Sequence, residues 1–318
     1  MKVLVTGGAG FIGRWVVSRL LREGNSVVVL DDLSNGSKDN LAEFSKNPDL
    51  IVKIGDIKNK KTLAGIFKQE IEVIIHLAAN INVQDSIDDP RKVFENDVIG
   101  TFNLLEEAKK TKARFVFMST CMVYDTAPSD GVISETHPTK AASPYAGAKL
   151  AGENLVESYY HAYGLPTVIL RPFNTYGPYQ KSTGEGGVVS IFLQKDLNGE
   201  ILNVYGDGTQ TRDLMYVEDC AEFVVRAAMS DRCTGQIINA GRGKDIPIND
   251  LAAMICKEGS RIKHIQHIHP QSEISRLICD RSKAKKLLGW EPRTSLEDGI
   301  NKTRKFMDHS RKQMGTHD

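Results

Sequence analysis

The chain has 318 residues, and its 41 lysines and arginines nearly balance its 40 aspartates and glutamates, which leaves a formal net charge of +1. This balance argues against a nucleic-acid-binding protein and against a protein that binds membrane surfaces, because both usually carry a basic excess. A hydrophobic fraction of 41% predicts a globular protein with a substantial core. Length alone predicts one large domain or two smaller ones.

Three further features predict a cytoplasmic protein. No apolar run reaches the roughly 18 residues of a membrane span, and Met1 leads directly into an apolar run rather than into a signal peptide. The five cysteines, at positions 121, 220, 233, 256 and 279, are odd in number and form no CxxC pair. Neither a metal centre nor a disulfide framework is therefore expected, as is usual in the reducing cytoplasm.

The first thirty residues predict a dinucleotide site. An apolar run over residues 3–5 precedes the glycine-rich segment Thr6–Gly13, after which apolar residues recur at helical spacing. In this strand–turn–helix order, Gly7 and Gly10 leave room for a pyrophosphate, and Gly13 lets the helix pack closely on the strand. The free N–H groups at the N-terminus of the helix attract phosphates.

The end of the second predicted strand indicates which dinucleotide binds. The apolar run over residues 27–30 ends at Asp31, which lies 18 residues after Gly13. A carboxylate at this strand tip can accept hydrogen bonds from both hydroxyl groups of the adenosine ribose, and it repels a 2′-phosphate. The sequence therefore favours NAD over NADP, and the alternative interpretation is a solvated turn at Asp31-Asp32.

Short apolar runs and helical stretches alternate along the next 140 residues. Apolar runs over 50–52, 73–75, 115–117 and 168–170 are separated by stretches that include Thr62–Phe67, Asn103–Lys109 and Leu150–Tyr163. This alternation predicts an α/β fold with a doubly wound parallel sheet and helices on both faces. We expect a cofactor domain over residues 1–174 and a smaller substrate lobe over residues 175–318, with segments that return to the first layer.

A Tyr–Lys pair predicts the catalytic base. Ser143 suits a helix N-cap and Pro144 the first helical position, so that Tyr145 and Lys149 lie four residues apart on one helix face. An ammonium group beside a phenol is expected to lower the pKa of the phenol, which can then take a proton from a hydroxyl group. Taken alone, this spacing is more often a surface pair.

Together these motifs resemble a known family, the extended short-chain dehydrogenases/reductases, and within it the nucleotide-sugar epimerases and dehydratases. The resemblance covers essentially the whole chain. It rests on TGGAGFIG at 6–13, DDLSNG at 31–36, GDI at 55–57, HLAA at 76–79, ST at 119–120, YxxxK at 145–149, RPFNTYGP at 171–178, GDGTQTRD at 206–213 and LGWEP at 288–292. It implies a modified Rossmann fold, tightly held NAD, a nucleotide-sugar substrate (most often a UDP-sugar) and a homodimer.

The resemblance also implies roles for individual residues. Thr120 hydrogen-bonds the reacting sugar hydroxyl, Tyr145 takes its proton, and Lys149 also holds the nicotinamide ribose. The substrate is expected to contact Met122, Asn174, Val188, Arg212 and Glu273, of which Arg212 suits the diphosphate because a guanidinium group offers two parallel hydrogen bonds. Besides Tyr145 and Lys149, the cofactor is expected to contact Gly7, Gly10, Phe11, Ile12, Gly13, Asp31, Asp32, Ser34, Asn35, Gly36, Asp56, Ile57, Leu77, Ala78, Ala79, Asn96 and Ser119.

The residues after Thr120 depart from the 4,6-dehydratase pattern. Dehydratases of the family typically have the residues Thr-Asp-Glu at these positions, and the carboxyl groups of the Asp and the Glu serve as acid and base. In this chain the corresponding residues are Cys121 and Met122, of which only the cysteine can transfer a proton. An ordinary 4,6-dehydration is therefore ranked low.

Three other interpretations remain. In one, a 5,6-unsaturated UDP-GlcNAc is oxidised at C4 and reduced at C6, with Cys121 as the proton donor, which yields a 4-keto-6-deoxy sugar. In this respect the chain resembles the second enzyme, an NAD-dependent oxidoreductase, of a bacterial route from UDP-GlcNAc to pseudaminic acid. In another it is a 4-epimerase of UDP-GlcNAc or UDP-glucose, and Cys121 is a buried, inert thiol. In the third it is a non-catalytic sensor of NAD or a nucleotide sugar, although an activated phenol argues against a sensor.

Overall fold

The computed structural model describes residues 1–129, 131–183, 187–267, 270 and 273–314. Its strands are β1 (Lys2–Thr6), β2 (Ser26–Asp31), β3 (Leu50–Ile54), β4 (Val73–His76), β5 (Arg114–Met118), β6 (Thr167–Pro172), β7 (Asn174–Tyr176), β8 (Leu202–Tyr205), β9 (Thr211–Tyr216), β10 (Gln236–Ala240), β11 (Asp245–Pro247), β12 (Ile262–Ile265) and β13 (Arg276–Leu277).

The α-helices are α1 (Phe11–Arg22), α2 (Lys60–Ile66), α3 (Val83–Asp88), α4 (Pro90–Val93), α5 (Gly100–Thr111), α6 (Pro144–Tyr163), α7 (Val188–Leu197), α8 (Val217–Ala228), α9 (Ile248–Ile255), α10 (Ser282–Leu288) and α11 (Leu296–Met314). A π-helical turn covers Phe94–Ile99, and 3₁₀ turns cover Lys38–Phe44, Phe67–Gln69, Cys121–Val123, Asp231–Cys233 and Gly259–Arg261.

A seven-stranded sheet with the order β10-β6-β5-β4-β1-β2-β3 forms the centre of the fold, and all of its strand pairs are parallel. The six strands predicted from apolar runs are all present, and the predicted doubly wound α/β fold is confirmed. The strand order reverses between β1 and β4, and in such sheets ligands bind at the carboxyl edge beside this reversal. The three predicted helical stretches fall within or overlap α2, α5 and α6, which begin two, three and six residues before the expected positions.

Alternating side chains of the sheet build a core on each face. Val3 and Val5 of β1 pack with apolar residues of α1 and α8, such as Leu20 and Phe223. Leu4 points to the opposite face and packs with residues of α5 and α6. Because helices cover both faces of the sheet centre, the strands there are mostly apolar, which explains why short apolar runs predicted them, whereas the edge strand β3 is largely exposed.

The second lobe is built around its own core. Strands β11, β9 and β13 pair in that order, β7 also pairs with β9, and β8 pairs with β12. Helices α7, α9 and α11 cover these strands, and Tyr176, Phe192, Leu214 and Leu251 are among the buried residues. This lobe lies beyond the carboxyl edge of the large sheet, so that the cavity described below has walls from both layers.

Parts of the C-terminal half belong to the first layer. Strand β10 pairs with β6 and forms the edge of the large sheet, and α8 packs against α1. Trp290 contacts Phe223 of α8 at a ring-centroid distance of 5.1 Å and donates a hydrogen bond to the Asp219 carbonyl. The chain crosses between the two layers after β6, at α8 and β10, and again before α11, so the part after residue 174 contains segments of the first layer. The division into a cofactor domain and a substrate lobe at residue 174 stays a prediction.

Candidate active site

A cavity of about 900 Å³ lies between the carboxyl edge of the large sheet and the second lobe. Its wall combines the loop after β1, the ends of β2, β4 and β5, the N-terminal part of α6, and residues of β7, β8, β9 and α7. A cavity of this size with apolar walls and a few polar groups is typical of cofactor and substrate sites. The elongated set of lining residues runs from the predicted adenosine end to the predicted nucleotide-sugar end.

The glycine-rich turn packs so closely against neighbouring backbone that side chains at Gly7 and Gly13 would not fit. Gly7 has a φ of +70°, and a Cβ atom there would lie 2.7 Å from the Ala78 nitrogen. A Cβ atom on Gly13 would overlap the Gly7 carbonyl oxygen and lie 2.7 Å from the Gly8 Cα atom. Gly10 is the N-cap of α1 and supplies no side-chain cap, so the first N–H groups of the helix are directed to the cavity end that Gly10 and Phe11 line.

Asp31 occupies the tip of β2 and suits the adenosine ribose of NAD. Its side chain is buried and accepts hydrogen bonds from the Ala9 and Leu33 nitrogens, each at 2.9 Å. Burial raises the pKa of Asp31, and these two backbone hydrogen bonds oppose the rise. The carboxyl group of Asp31 lines the cavity and can accept hydrogen bonds from the hydroxyl groups of a ribose, so the residues at this end of the cavity fit NAD.

With one exception, every residue predicted to contact cofactor or substrate lines this cavity. The exception is Asp56, whose carboxylate instead accepts a hydrogen bond from the Lys58 nitrogen at 2.7 Å and pairs with the Lys58 ammonium group at 2.9 Å. Its neighbour Ile57 does line the wall. The Asp56 side chain is thus engaged by Lys58, and its contact with the adenosine stays a prediction.

Helix α6 presents Tyr145 and Lys149 to the cavity. Pro144 is the first residue of the helix, and the Ser143 hydroxyl caps it by accepting the Ala146 N–H at 3.2 Å. The Lys149 ammonium group donates to the Met118 carbonyl at 3.0 Å and lies 5.9 Å from the centroid of the Tyr145 ring. Both side chains are buried.

The electrostatic effect on Tyr145 differs from the expectation. The sequence predicts that Lys149 lowers the pKa of Tyr145. In the structure, burial raises the pKa of Tyr145, and the negative charge of Asp97 raises it further. A hydrogen bond with Thr120 opposes this rise. Burial also lowers the pKa of Lys149. The physical reason is that both groups lie in a dry wall, where each charged form loses hydration.

The residues after β5 place a thiol beside this pair. Thr120 is the N-cap of the turn Cys121–Val123, and its hydroxyl accepts the Met122 N–H at 3.2 Å. Cys121 is only 1% exposed, and burial raises the pKa of its thiol to about 12, an effect that the positive charge of Arg212 opposes. Cys121 and Met122 both line the cavity. The thiol is thus protonated at neutral pH and can act as a donor but not as a base.

The predicted nucleotide-sugar contacts come from the second lobe and already interact with one another. The Arg212 guanidinium group forms an ion pair with Glu273 and donates to the carbonyl groups of Thr211 and Ile274, both at 2.8 Å. The His267 Nε2 atom lies 2.6 Å from the second carboxylate oxygen of Glu273. The Asn174 side-chain oxygen is buried and has no hydrogen-bond partner among the described residues, so it is available to a polar ligand group.

Several lining residues were missed by the sequence analysis. Residues 81–85 and Ile87, in and before α3, form one side of the wall, and Asn203, Tyr205 and His267 belong to the second lobe. The only local signal for the first group is the cap of α3, where the Asn82 side chain accepts the Asp85 N–H at 2.7 Å. No spacing rule connects residues as distant in sequence as Tyr205 and His267 to the same cavity.

Within the part of the chain that the structure describes, no cluster of three or more His, Cys, Asp or Glu side chains could hold a metal ion. Likewise, none of the described helices is long and apolar enough to cross a membrane. All five cysteines are free and buried.

Comparison with known proteins places the chain among nucleotide-sugar enzymes. The family model described as GDP-mannose 4,6 dehydratase matches residues 4–303. A putative UDP-glucose 4-epimerase of Methanocaldococcus jannaschii is 36% identical, over 97% of this chain and 99% of that protein. The X-ray structure of Pal from Bacillus thuringiensis is 57% identical with a TM-score of 0.96, over 98% and 100% of the two chains. A dTDP-glucose 4,6-dehydratase of Streptomyces venezuelae, solved with NAD bound, is 30% identical with a TM-score of 0.92, over 98% of both chains.

Proposed function

This chain belongs to the family of NAD-dependent nucleotide-sugar epimerases and dehydratases, and on that premise we propose that it converts a 5,6-unsaturated UDP-GlcNAc into a 4-keto-6-deoxy sugar. The observation that carries the proposal is the pair Cys121-Met122 in the wall beside Tyr145, which offers one protonated thiol and no carboxyl group. The same proposal includes a place as the second enzyme of a route from UDP-GlcNAc to pseudaminic acid.

Thr120 and Tyr145 perform the first step of the proposed reaction. Thr120 hydrogen-bonds the C4 hydroxyl group of the sugar, and Tyr145 takes its proton while the C4 hydrogen leaves with its electron pair. Burial opposes ionisation of Tyr145, so its ionised form depends on the Thr120 hydrogen bond and on the positive charges of Lys149 and of the nicotinamide ring of bound NAD. When bound, NAD would supply the acceptor for this hydride and, later in the same turnover, its donor, so that no external oxidant would be consumed. Lys149 holds the nicotinamide ribose and stabilises the phenolate from the same helix face.

Cys121 performs the second step. The new C4 ketone is conjugated with the C5–C6 double bond, so that hydride addition at C6 moves the electrons of the double bond toward the C4 oxygen. The Cys121 thiol then supplies the proton that forms the C5–H bond, and the proton released from the C4 hydroxyl group restores the thiol through Tyr145 and solvent. One hydride and one proton are thus conserved, and the net reaction is an isomerisation.

The protonated state of Cys121 supports this reaction over a 4,6-dehydration. Dehydration requires a base to remove the C5 proton and an acid to protonate the departing C6 hydroxyl group. Burial raises the pKa of the Cys121 thiol to about 12, which favours its protonated form over the thiolate that such a base would require, and Met122 can neither take nor give a proton. Protonation of C5 needs only a donor.

Arg212 and Glu273 are proposed to bind the nucleoside diphosphate. Their ion pair, together with the contact between Glu273 and His267, closes the nucleotide end of the cavity with charged groups. A bound diphosphate can replace Glu273 as the hydrogen-bond partner of the Arg212 guanidinium group. The Glu273 carboxylate is then available to accept a hydrogen bond from a ribose hydroxyl group. The UDP moiety is proposed from the similarity to the archaeal relative described as a UDP-glucose 4-epimerase.

A 4-epimerase is the second candidate, and the similarity to that archaeal relative favours it. Epimerisation needs only Thr120, Tyr145 and a cavity in which the 4-ketone can turn before the hydride returns to its other face. Cys121 then lines the pocket without taking part.

Incubation of the purified protein with the 5,6-unsaturated UDP-GlcNAc, UDP-GlcNAc and UDP-glucose in deuterated water distinguishes these candidates. We expect NMR spectra of the unsaturated substrate to show deuterium at C5 and a new C6 methyl group. Formation of UDP-GalNAc or UDP-galactose without label would establish the epimerase instead. A Tyr145→Phe variant should lose turnover and keep bound cofactor.

The assembly and location remain proposals. Phe94, Ile99 and Phe102 expose 53%, 39% and 39% of their surfaces on the π-helical turn and α5. We propose that this apolar face forms the homodimer that the resemblance implies, and light scattering of the purified protein tests it. That the enzyme works in the cytoplasm stays a prediction.

A further inference from the structure

Asp97 is a buried carboxylate beside the catalytic pair that the sequence analysis did not single out. It is only 2% exposed and lies in the π-helical turn Phe94–Ile99. One carboxylate oxygen accepts the Asn80 N–H at 2.8 Å and the Asn96 side-chain amide at 3.1 Å. The other oxygen is buried and has no hydrogen-bond partner among the described residues. A buried carboxylate with an unpaired oxygen lowers the stability of the fold unless a nearby positive charge compensates its lost hydration.

The packing of the π-helical turn brings Asp97 to the Lys149 side of α6. Val98 packs against Ala148 in one small apolar cluster, so the neighbours of Asp97 and Lys149 are in contact. The Asp97 carbonyl accepts the Thr101 hydroxyl at 2.5 Å, and this hydroxyl lies 2.9 Å from His76. The turn is therefore tied to the end of β4 and cannot easily move away from α6.

The charges of Asp97 and Lys149 act on each other. Burial raises the pKa of Asp97, and Lys149 is the strongest influence that lowers it. Burial lowers the pKa of Lys149, and Asp97 is the strongest influence that raises it. The other charged or titratable groups that act on this pair from neighbouring elements are Lys58 after β3, His76 in β4, and Tyr145 and Glu153 on α6. Burial lowers the pKa of His76 to about 3, so that this ring adds no positive charge at neutral pH.

We propose that Asp97 is a positioning residue that acts through Lys149: its buried carboxylate holds Lys149 as an ammonium ion in the cavity wall and sets the pH range in which Tyr145 and Lys149 work together. The inference rests on the roles proposed above for Tyr145 and Lys149. Catalysis needs the ionised phenol and the protonated amine at once. A negative charge beside them makes both groups hold their protons to higher pH, and thus shifts the whole active range upward.

The test is the Asp97→Asn variant, which keeps an oxygen for the Asn80 N–H and removes the charge. In the pH dependence of kcat/KM for the 5,6-unsaturated UDP-GlcNAc, both the acidic and the alkaline limb should move to lower pH by about one unit. The matched control is Glu95→Gln, which removes a charge from the same turn at an exposed ion pair with Arg91, and its limbs should not move. A lower rate with unmoved limbs in Asp97→Asn would refute the proposal.

A second measurement needs no turnover and separates this proposal from the proposed reaction. In urea unfolding, Asp97→Asn should lower the midpoint in the wild-type background, because Lys149 loses its counter-charge. In the Lys149→Met background the same substitution should raise the midpoint or leave it unchanged, because it removes an uncompensated buried carboxylate. An equal loss in both backgrounds would overturn the proposal, whether or not the sugar is turned over. If Asp97→Asn alone fails to fold, recovery of folding in the double variant supports the pairing.

Discussion

Replacement of Cys121 by alanine separates proton donation from every other step of the proposed reaction. The thiol lies in an apolar cluster with Val123, Phe173 and Leu277. Removing one sulfur atom from this cluster should cost about 1 kcal/mol of unfolding free energy. A domain of this kind has roughly 5–15 kcal/mol of stability, so the variant should remain folded at assay temperature.

Loss of the donor should slow turnover of the 5,6-unsaturated substrate by about 10²- to 10⁴-fold, the usual contribution of a positioned proton donor. Oxidation at C4 should continue, because Thr120, Tyr145 and Lys149 are unchanged. Water would then protonate C5 from either side, so NMR spectra of the product formed in deuterated water should show both configurations at C5. The wild-type protein should give one.

Cys279→Ala is the matched control. Cys279 is buried in the same apolar cluster and is not part of the cavity wall, so its loss should lower stability by a similar amount and leave the rate and the C5 configuration unchanged. A Cys121→Ala protein with the wild-type rate and a single C5 configuration would refute the role of the thiol as the proton donor.

Four further substitutions test the site and its scaffold. Gly13→Ala should abolish cofactor retention, measured as nicotinamide released on denaturation, because the new methyl group meets only backbone atoms; a full complement of NAD would contradict the tight turn. Asp31→Asn should raise the affinity for NADP relative to NAD in cofactor titrations, since the repulsion of a 2′-phosphate is removed, and an unchanged ratio would refute the contact of Asp31 with the adenosine ribose. Arg212→Lys should raise KM for the UDP-sugar about tenfold with a smaller change in kcat, whereas an unchanged KM would exclude the diphosphate contact. The Arg171 guanidinium group donates two hydrogen bonds to the buried Glu153 carboxylate, at 2.8 and 2.5 Å. Arg171→Met should lower the unfolding free energy by about 3–5 kcal/mol, because it leaves Glu153 as an unpaired buried charge. A loss below about 1 kcal/mol in urea unfolding would contradict the expected contribution of this ion pair to stability.

Local sequence determined the first six strands of the large sheet, β1 to β6. The strands of a doubly wound sheet are apolar on both faces, and each run is short enough to be distinguished from a helix, as at residues 3–5 and 27–30. The glycine turn and Asp31 are likewise local features, because the backbone conformation of Gly7 and the position at a strand tip follow from a few adjacent residues. These are the parts of the site for which the sequence was sufficient.

Tertiary structure alone decided the position of β10, the contacts of Glu273 and the protonation of the titratable groups. Strand β10 carries no distinctive pattern, and its place at the sheet edge depends on pairing with β6, more than sixty residues earlier in the chain. The contacts of Glu273 with Arg212 and His267 likewise join separate segments of the second lobe. The state of each titratable group was also decided by packing, since burial, which no residue spacing encodes, raises the pKa of Tyr145 and of Cys121. The sequence by itself determined which chemical groups are available, whereas the tertiary structure decided their protonation and their neighbours, because desolvation and charge interactions depend on distance in space rather than on distance along the chain.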